Sequence, residues 1–138
     1  MDQRIIDFIN GHHLLTLATS KDNIPYCSNA FYVFDAQKKS LIFSSDSRTK
    51  HVQDFIVNPK VAASIALETK IVKKIKGVQI LGDIIEIKGD DLEKATKQYL
   101  KAFPYARLMK LQLWEMELTF VKMTHNRLGF GKKLIWEK

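Results

Sequence analysis

Apolar residues in this sequence recur at two spacings, one typical of amphipathic helices and the other of β-strands. Ile5, Ile6 and Ile9 fall on one face of a helix predicted over residues 3–10, and Gly11 follows as its C-terminal cap. The sequence predicts two more helices, one from Ser47 to the Asn58-Pro59 stop and one from Gly89 to about Phe103.

Seven segments have the length and the β-branched or aromatic content of strands. Short polar turns join the first three, which favours an antiparallel meander. We expect Gly77 and Gly82 to bend the long fifth segment or to mark bulges in it. In chain order the segments are 14–19, 26–34, 41–45, 61–67, 72–87, 114–120 and 134–136.

These elements predict a mainly β protein with flanking helices, built as a six- or seven-stranded antiparallel β-barrel. Closing the sheet removes the exposed strand edges that so many short strands would otherwise leave. No internal repeat, linker or low-complexity tract divides the sequence. We therefore expect a single domain over residues 1–138.

Composition adds constraints on location and on disulfides. Of the 138 residues, 46% are hydrophobic and 27% charged, as is ordinary for a globular protein. No apolar run approaches the ~20 residues that a membrane helix needs. The single cysteine, Cys27, excludes an internal disulfide framework and suits a reducing compartment. We expect a cytoplasmic protein with no membrane association.

The formal net charge of +7 allows two kinds of anionic partner, nucleic acids and small molecules. The lysines are spread along the chain, and the densest run, at 70–76, is interpreted as the solvated face of a strand. No zinc-finger or RNA-recognition signature is present. Nucleic-acid binding therefore rests on charge alone and is not favoured.

A hydroxyl-rich turn before the second helix is the strongest candidate for chemistry. A helix beginning there directs free backbone N–H groups and its positive dipole end at the turn, which suits a phosphate. The alternative is that the hydroxyls cap the helix and the cations are solvated. The turn holds Ser44, Ser45, Ser47, Arg48, Thr49 and Lys50, with Asp46 as its single acid.

Two amides in apolar strands, Asn29 and Gln79, would need partners if buried. Together with an anion site they suit a ligand that has a polar ring at one end and a phosphate at the other, the shape of flavin mononucleotide (FMN). His51 lies at the helix start and is either a phosphate donor or a surface residue. His125 is predicted to lie in a turn, in contact with water.

No catalytic residue is assigned from motifs. The pair His12-His13 has no cysteine or carboxylate at ligand spacing, so no metal site is predicted. Cys27 has no visible activating partner. Nucleophile-elbow, Walker and dinucleotide glycine patterns are all missing from the sequence.

The order of the segments resembles that of pyridoxamine 5′-phosphate oxidase-like proteins, which are FMN-binding split barrels. FSSDSRTKHVQDFIVNPKVAASI resembles their phosphate-binding strand, turn and helix, and IKGVQILGDI their next long strand. The closer resemblance is to the YhbP branch, and it covers essentially the whole chain. Its marks are SNAFYVFDAQ, KGVQILG, YLKAFPYAR, WEMEL and NRLGFGKKLIW.

The resemblance implies a split-barrel homodimer with FMN at the subunit interface. Ser45 matches a hydroxyl that meets the phosphate, within a turn that also brings in Ser44. Thr49, Lys50 and His51 match the helix-start positions that hold it. Many relatives have lysine or arginine in place of His51, and Arg48 or a C-terminal lysine could substitute. Gly77 and Gln79 match the strand bordering the isoalloxazine, and the partner subunit would contribute Trp114 or Lys132.

The predicted function is FMN binding, with flavin-dependent oxidoreductase activity on an unidentified small substrate. No residues match the pyridoxal phosphate substrate site, so the oxidase activity itself is not carried over. One alternative is a flavin-binding or sensing module without turnover. Another is a haem-binding split barrel with an axial ligand among His12, His13 and His125.

Overall fold

The computed structural model describes residues 1–138 and has three α-helices and seven β-strands. The helices are α1 (Gln3–Asn10), α2 (Lys50–Val57) and α3 (Asp90–Ala102). The strands are β1 (Leu14–Lys21), β2 (Ile24–Asp35), β3 (Ser40–Ser44), β4 (Lys60–Ala66), β5 (Lys76–Ile85), β6 (Leu113–His125) and β7 (Lys133–Glu137). Short 3-10 turns lie at Val72–Lys74, Pro104–Leu108 and Asn126–Leu128. No helix has the length and apolar character required to cross a membrane.

Six strands close into an antiparallel barrel, which confirms the predicted fold class. The order is β3-β2-β1-β4-β5-β6, and pairing between β3 and β6 completes the circle. β6 is long enough to pair with β3 through its first half and with β7 through its second half. The seventh strand therefore extends the sheet outside the barrel.

The barrel interior and two helices that cover its ends form the main core. α1 places Ile5 and Ile9 in the core at the end where β1 begins, and α2 places Val52 and Phe55 in it near the opposite end. Tyr32 Oη donates to Ile9 O at 2.7 Å, which fastens α1 to β2. α3 packs outside the barrel, where its buried face forms a smaller cluster with β3.

Gly82 marks a bulge in β5, as predicted, because the register with β6 shifts between Leu81 and Gly82. A Cβ at this position would lie too close to Glu117 O and to the Met116 side chain. Gly82→Ala should therefore lower the free energy of unfolding by about 1–3 kcal/mol. Urea denaturation measures this, and an unfolding midpoint equal to that of the wild type would contradict it.

The fifth strand begins later than predicted. The prediction of a strand from residue 72 is wrong for its first part, because Val72–Lys74 forms a 3-10 turn. β4 and β5 pair antiparallel with Ala66 opposite Gly77, so the intervening residues must reverse the chain direction. Lys73 and Lys74 are thus exposed in a connection rather than on a strand face.

Candidate functional site

The start of α2 presents free backbone donors. Thr49 is the N-cap residue, but its side chain makes no capping hydrogen bond. The first helical bond runs from Gln53 N to Thr49 O, and the N–H groups of Lys50, His51 and Val52 donate to no protein acceptor. Since these groups lie at the positive end of the helix dipole, the site favours an anion.

Three of the predicted side chains meet in front of this helix start. His51 Nε2 lies 2.8 Å from Ser45 Oγ and 3.3 Å from Thr49 Oγ1. Thr49 Oγ1 donates its proton to Asp46 O at 2.7 Å. Burial lowers the pKa of His51, an effect that the Asp54 charge opposes. The imidazole is therefore neutral near pH 7.

Lys50 is held by a buried carboxylate that the sequence analysis missed. Its Nζ lies 2.9 and 3.0 Å from the two oxygens of Asp54, and 5.0 Å from the centre of the Tyr26 ring. Asp54 is 2% exposed and also accepts a hydrogen bond from Thr19 Oγ1 at 2.9 Å. The Lys50 hydrogen bonds lower the pKa of Asp54. The i, i+4 spacing of Lys50 and Asp54 was the available signal for this pair.

Arg48 is the more exposed cation of the turn. Its side chain is 88% exposed and pairs with Asp46, whose pKa it lowers through side-chain hydrogen bonds. The two cations of the turn are thus matched by two acids. Attraction for an anion must therefore come from the free N–H groups and from rearrangement of Lys50, and not from a net charge of the turn. A phosphate fits this combination of donors.

Two residues of the β6 region fix the turn. Trp114 Nε1 donates to Ser45 O at 2.9 Å, and Ser45 N donates to Gln112 O at 3.1 Å. Gln112 also accepts a hydrogen bond from Ser47 N through its side chain. Trp114 therefore lies beside the turn of its own chain. No local sequence signal could identify Gln112, because 65 positions separate it from Ser47.

The two amides of the apolar strands do not face the core, so neither needs a buried partner. Asn29 and Gln79 are exposed on the outside of the barrel, because their positions alternate with the inward-facing core residues of β2 and β5. They lie in one row across four strands, in which Thr16 faces both Asn29 and Ser64, and Ser64 faces Gln79. Thr16 Oγ1 donates to Asn29 Oδ1 at 2.9 Å.

The next row on this outer sheet face is apolar. A hollow of about 350 Å³ lies there, and the 52% exposed Leu81 forms part of its wall. Its polar side is formed by Thr16, Ser64 and Gln79 from the neighbouring row. These two rows form the outer sheet face. The polar row consists of Asn29, Thr16, Ser64 and Gln79, and the apolar row of Cys27, Ala18, Ala62, Leu81 and Phe120.

Lys132 and Gly77 lie at the other end of the barrel from α2. Gly77 pairs with Thr124 near the end of β6, and His125 N donates to Lys132 O just beyond it. Trp114 and His125 are eleven positions apart on β6, roughly 35 Å along an extended strand. Lys132 is therefore not brought together with the α2 turn within one chain.

The histidines do not form a metal site. No group of three His, Cys, Asp or Glu residues is placed to hold a metal ion.

The prediction that His125 lies in water is wrong, because it is the last residue of β6 and is only 9% exposed. The inward direction of this strand position buries the ring beneath α1.

Comparison with known proteins adds the family. Residues 1–125 match the pyridoxamine 5′-phosphate oxidase family. A UPF0306 protein of Yersinia pseudotuberculosis is 37% identical over 131 residues, which cover 95% of this chain and 89% of that protein. A UPF0306 protein of Yersinia pestis is 36% identical over 131 residues, with the same coverage of both chains.

Solved structures show the same fold. A heme-binding protein from Mycobacterium smegmatis has a TM-score of 0.79 at 16% identity, and the match covers 95% of this chain but only 56% of that protein. An FAD-binding protein from the same organism has a TM-score of 0.73 at 16% identity, with 99% and 98% coverage. The solved structures agree with the closed barrel described above. Because the family match covers residues 1–125, the chain belongs to the pyridoxamine 5′-phosphate oxidase family of split-barrel proteins.

Proposed function

We propose that this protein binds FMN, with the phosphate at the start of α2. The observation that carries the proposal is the set of three free N–H groups beside Ser45, Thr49 and His51. The family match supports it, because the turn resembles the phosphate-binding segment of that family. The FAD-binding structure with the same fold supports a flavin as the ligand class.

The outer sheet face suits the flavin ring and a second copy of the chain. Its hollow of about 350 Å³ has an apolar wall and the Gln79 amide on its rim. Exposed Leu81 and the small residues Ala18 and Ala62 would pack in a two-fold interface. In such a homodimer Lys132 could reach the site from the partner, which it cannot do within its own chain.

The residues of the site bind and orient the cofactor. A bound flavin would supply the redox chemistry. The α2 N–H groups, Lys50 and the Ser45 hydroxyl would hold the phosphate, and Gln79 would hydrogen-bond the polar edge of the ring. No side chain of the site need act as an acid or a base for this role. The proposed activity is FMN-dependent oxidation or reduction of a small substrate in the cytoplasm, and the second candidate is a flavin carrier or sensor.

The absorbance spectrum of the purified protein tests the ligand class. We expect flavin bands, or their appearance with bound FMN after reconstitution. A Soret band would instead assign haem, as in the similar heme-binding structure. A colourless protein that binds neither FMN nor FAD would contradict the proposal. NAD(P)H oxidation by the FMN-loaded protein separates an oxidoreductase from a carrier.

Sedimentation tests the proposed homodimer. We expect a dimer at micromolar concentration, and Leu81→Lys should shift the equilibrium to monomer because it places a charge in the apolar row. Ile56→Lys, on the exposed side of α2, is the control and should leave the dimer intact. Monomeric wild-type protein at this concentration would contradict the interface and the contribution of Lys132 from a partner.

His51 makes a pH dependence of FMN affinity testable. Burial holds the pKa of His51 below its ordinary value in the free protein, whereas a bound phosphate would stabilise the imidazolium and raise that pKa. Binding then takes up a proton, so affinity should fall as the pH rises through the pKa of the complex. Above about pH 7 the phosphate itself is already dianionic and adds no slope.

His51→Lys should bind FMN more tightly at pH 8 and lose this slope, because lysine stays charged to about pH 10. Dissociation constants from quenching of flavin fluorescence across this range give both results. Equal slopes in the two proteins would show that His51 does not contact the phosphate.

A further inference from the structure

A second polar cavity lies under α1, at the end of the barrel opposite α2. It has a volume of about 430 Å³, opens to solvent, and is lined by α1 and by the adjacent ends of β5 and β6. Only three of its eight lining residues are hydrophobic. The other five are Arg4, Asp7, His12, Lys76 and His125. The cavity has no part in the proposed FMN site.

His125 is an unpartnered buried group in this cavity. The residue is 9% exposed, and its Nδ1 is fully enclosed without a hydrogen-bond partner. Its Nε2 has no protein partner either, but it is not among the enclosed atoms. Buried polar side chains are normally hydrogen-bonded, so a largely buried ring whose accessible Nε2 has no protein partner leaves that nitrogen free for a ligand.

Positive charge surrounds this ring. Lys76 is directly opposite His125 in the β5–β6 ladder, which places their Cβ atoms about 5 Å apart, and it forms no ion pair. Burial and the charges of Lys76, Arg4 and Arg127 lower the pKa of His125. The one acid of the cavity, Asp7, accepts a hydrogen bond from Gln3 Nε2 at 2.8 Å. The potential at the ring is therefore positive.

The neutral imidazole has one N–H group to place. A proton on enclosed Nδ1 would leave a buried donor without an acceptor, which is rarer in proteins than an unsatisfied acceptor. The proton therefore belongs on Nε2, which opens to the cavity. The Lys76 ammonium, on the same cavity wall, is a second donor, since it forms no ion pair with a carboxylate.

We propose that this cavity binds a compact oxyanion, the carboxylate or phosphate group of a small molecule, through His125 Nε2–H and the Lys76 ammonium. Arg4 adds positive charge from α1, although Asp2 already binds its guanidinium. Phe8 and Met123 give the cavity an apolar side for the rest of the ligand. A cation is disfavoured by these charges, and no metal-binding cluster is present.

Side-chain NMR of the four histidines tests the proposal. The full-length protein is titrated separately with inorganic phosphate and with acetate at constant ionic strength. We expect saturable shifts of the His125 resonances and none at exposed His13. Saturation by phosphate alone assigns a phosphate group, and saturation by acetate assigns a carboxylate.

Lys76→Met should weaken the binding seen at His125 by about tenfold or more. Lys73→Met removes the same charge from the exposed 3-10 turn and should leave it unchanged. Thermal unfolding first establishes that both variants are folded. The proposal would be overturned if the His125 resonances showed no saturable shift with either anion. It would also be overturned if Lys76→Met and Lys73→Met bound the anion with equal affinity. The response of His51 reports separately on the α2 site, so failure of one site is distinguishable from failure of the other.

Discussion

Replacing Phe55 with alanine is expected to lower the free energy of unfolding by about 3–5 kcal/mol. The ring is buried in the main core, where its edge meets Trp114 at 4.9 Å and Phe43 at 6.2 Å between ring centres. Its removal would leave a cavity between α2 and the barrel, and Trp114 would lose the contact that helps it support Ser45. FMN affinity should therefore fall together with stability.

Urea denaturation measures the change in stability. Ile56→Ala is the matched control, since the side chain is on the same helix but is 57% exposed. We expect its effect to stay within about 1 kcal/mol. If the two variants were destabilised equally, α2 would not be packed on the barrel through Phe55 as described.

Lys50→Met is expected to weaken FMN binding by about tenfold to a hundredfold. Lys50 is the cation at the first position of α2, and its removal leaves Asp54 as an uncompensated negative charge beside the phosphate. Lys60→Met removes a lysine from the exposed start of β4 and is the charge-matched control. Fluorescence titration with FMN measures the affinities.

The double variant Lys50→Met with Asp54→Asn separates a direct contact from a change in local charge. It removes one cation and one anion, so the local net charge equals that of the wild type. If Lys50 contacts the phosphate, affinity stays low in the double variant. Full recovery of affinity would show that Lys50 acts only by neutralising Asp54.

Much of the fold could be predicted because the information is local. The spacing of Ile5 and Ile9, the Asn58-Pro59 stop and the glycine at the β5 bulge each report on their immediate surroundings. The number and spacing of the strand segments predicted a six- or seven-stranded barrel, and six strands close it. The family resemblance was also confirmed. The start of the fifth strand was predicted too early because its apolar residues do not reveal where antiparallel pairing with β4 ends.

The candidate site was predictable where its residues are close in sequence. Ser45, Thr49 and His51 meet as expected because one turn and the first turn of α2 carry them. Burial was harder to predict. Successive side chains along β2 and β5 point alternately into and out of the barrel. Only the closed sheet decides that Asn29 and Gln79 are on the solvated side. Burial of His125 likewise depends on α1, more than a hundred positions away in the sequence.

A comparison of FMN with riboflavin tests the central claim most directly. Riboflavin has the same ring system but lacks the phosphate, so the difference in affinity isolates the proposed contacts at the start of α2. With two or more charge-assisted bonds to the phosphate, we predict that the wild type binds FMN at least about a hundredfold more tightly. Equal dissociation constants for the two flavins would contradict a phosphate site at Ser45, Thr49 and Lys50.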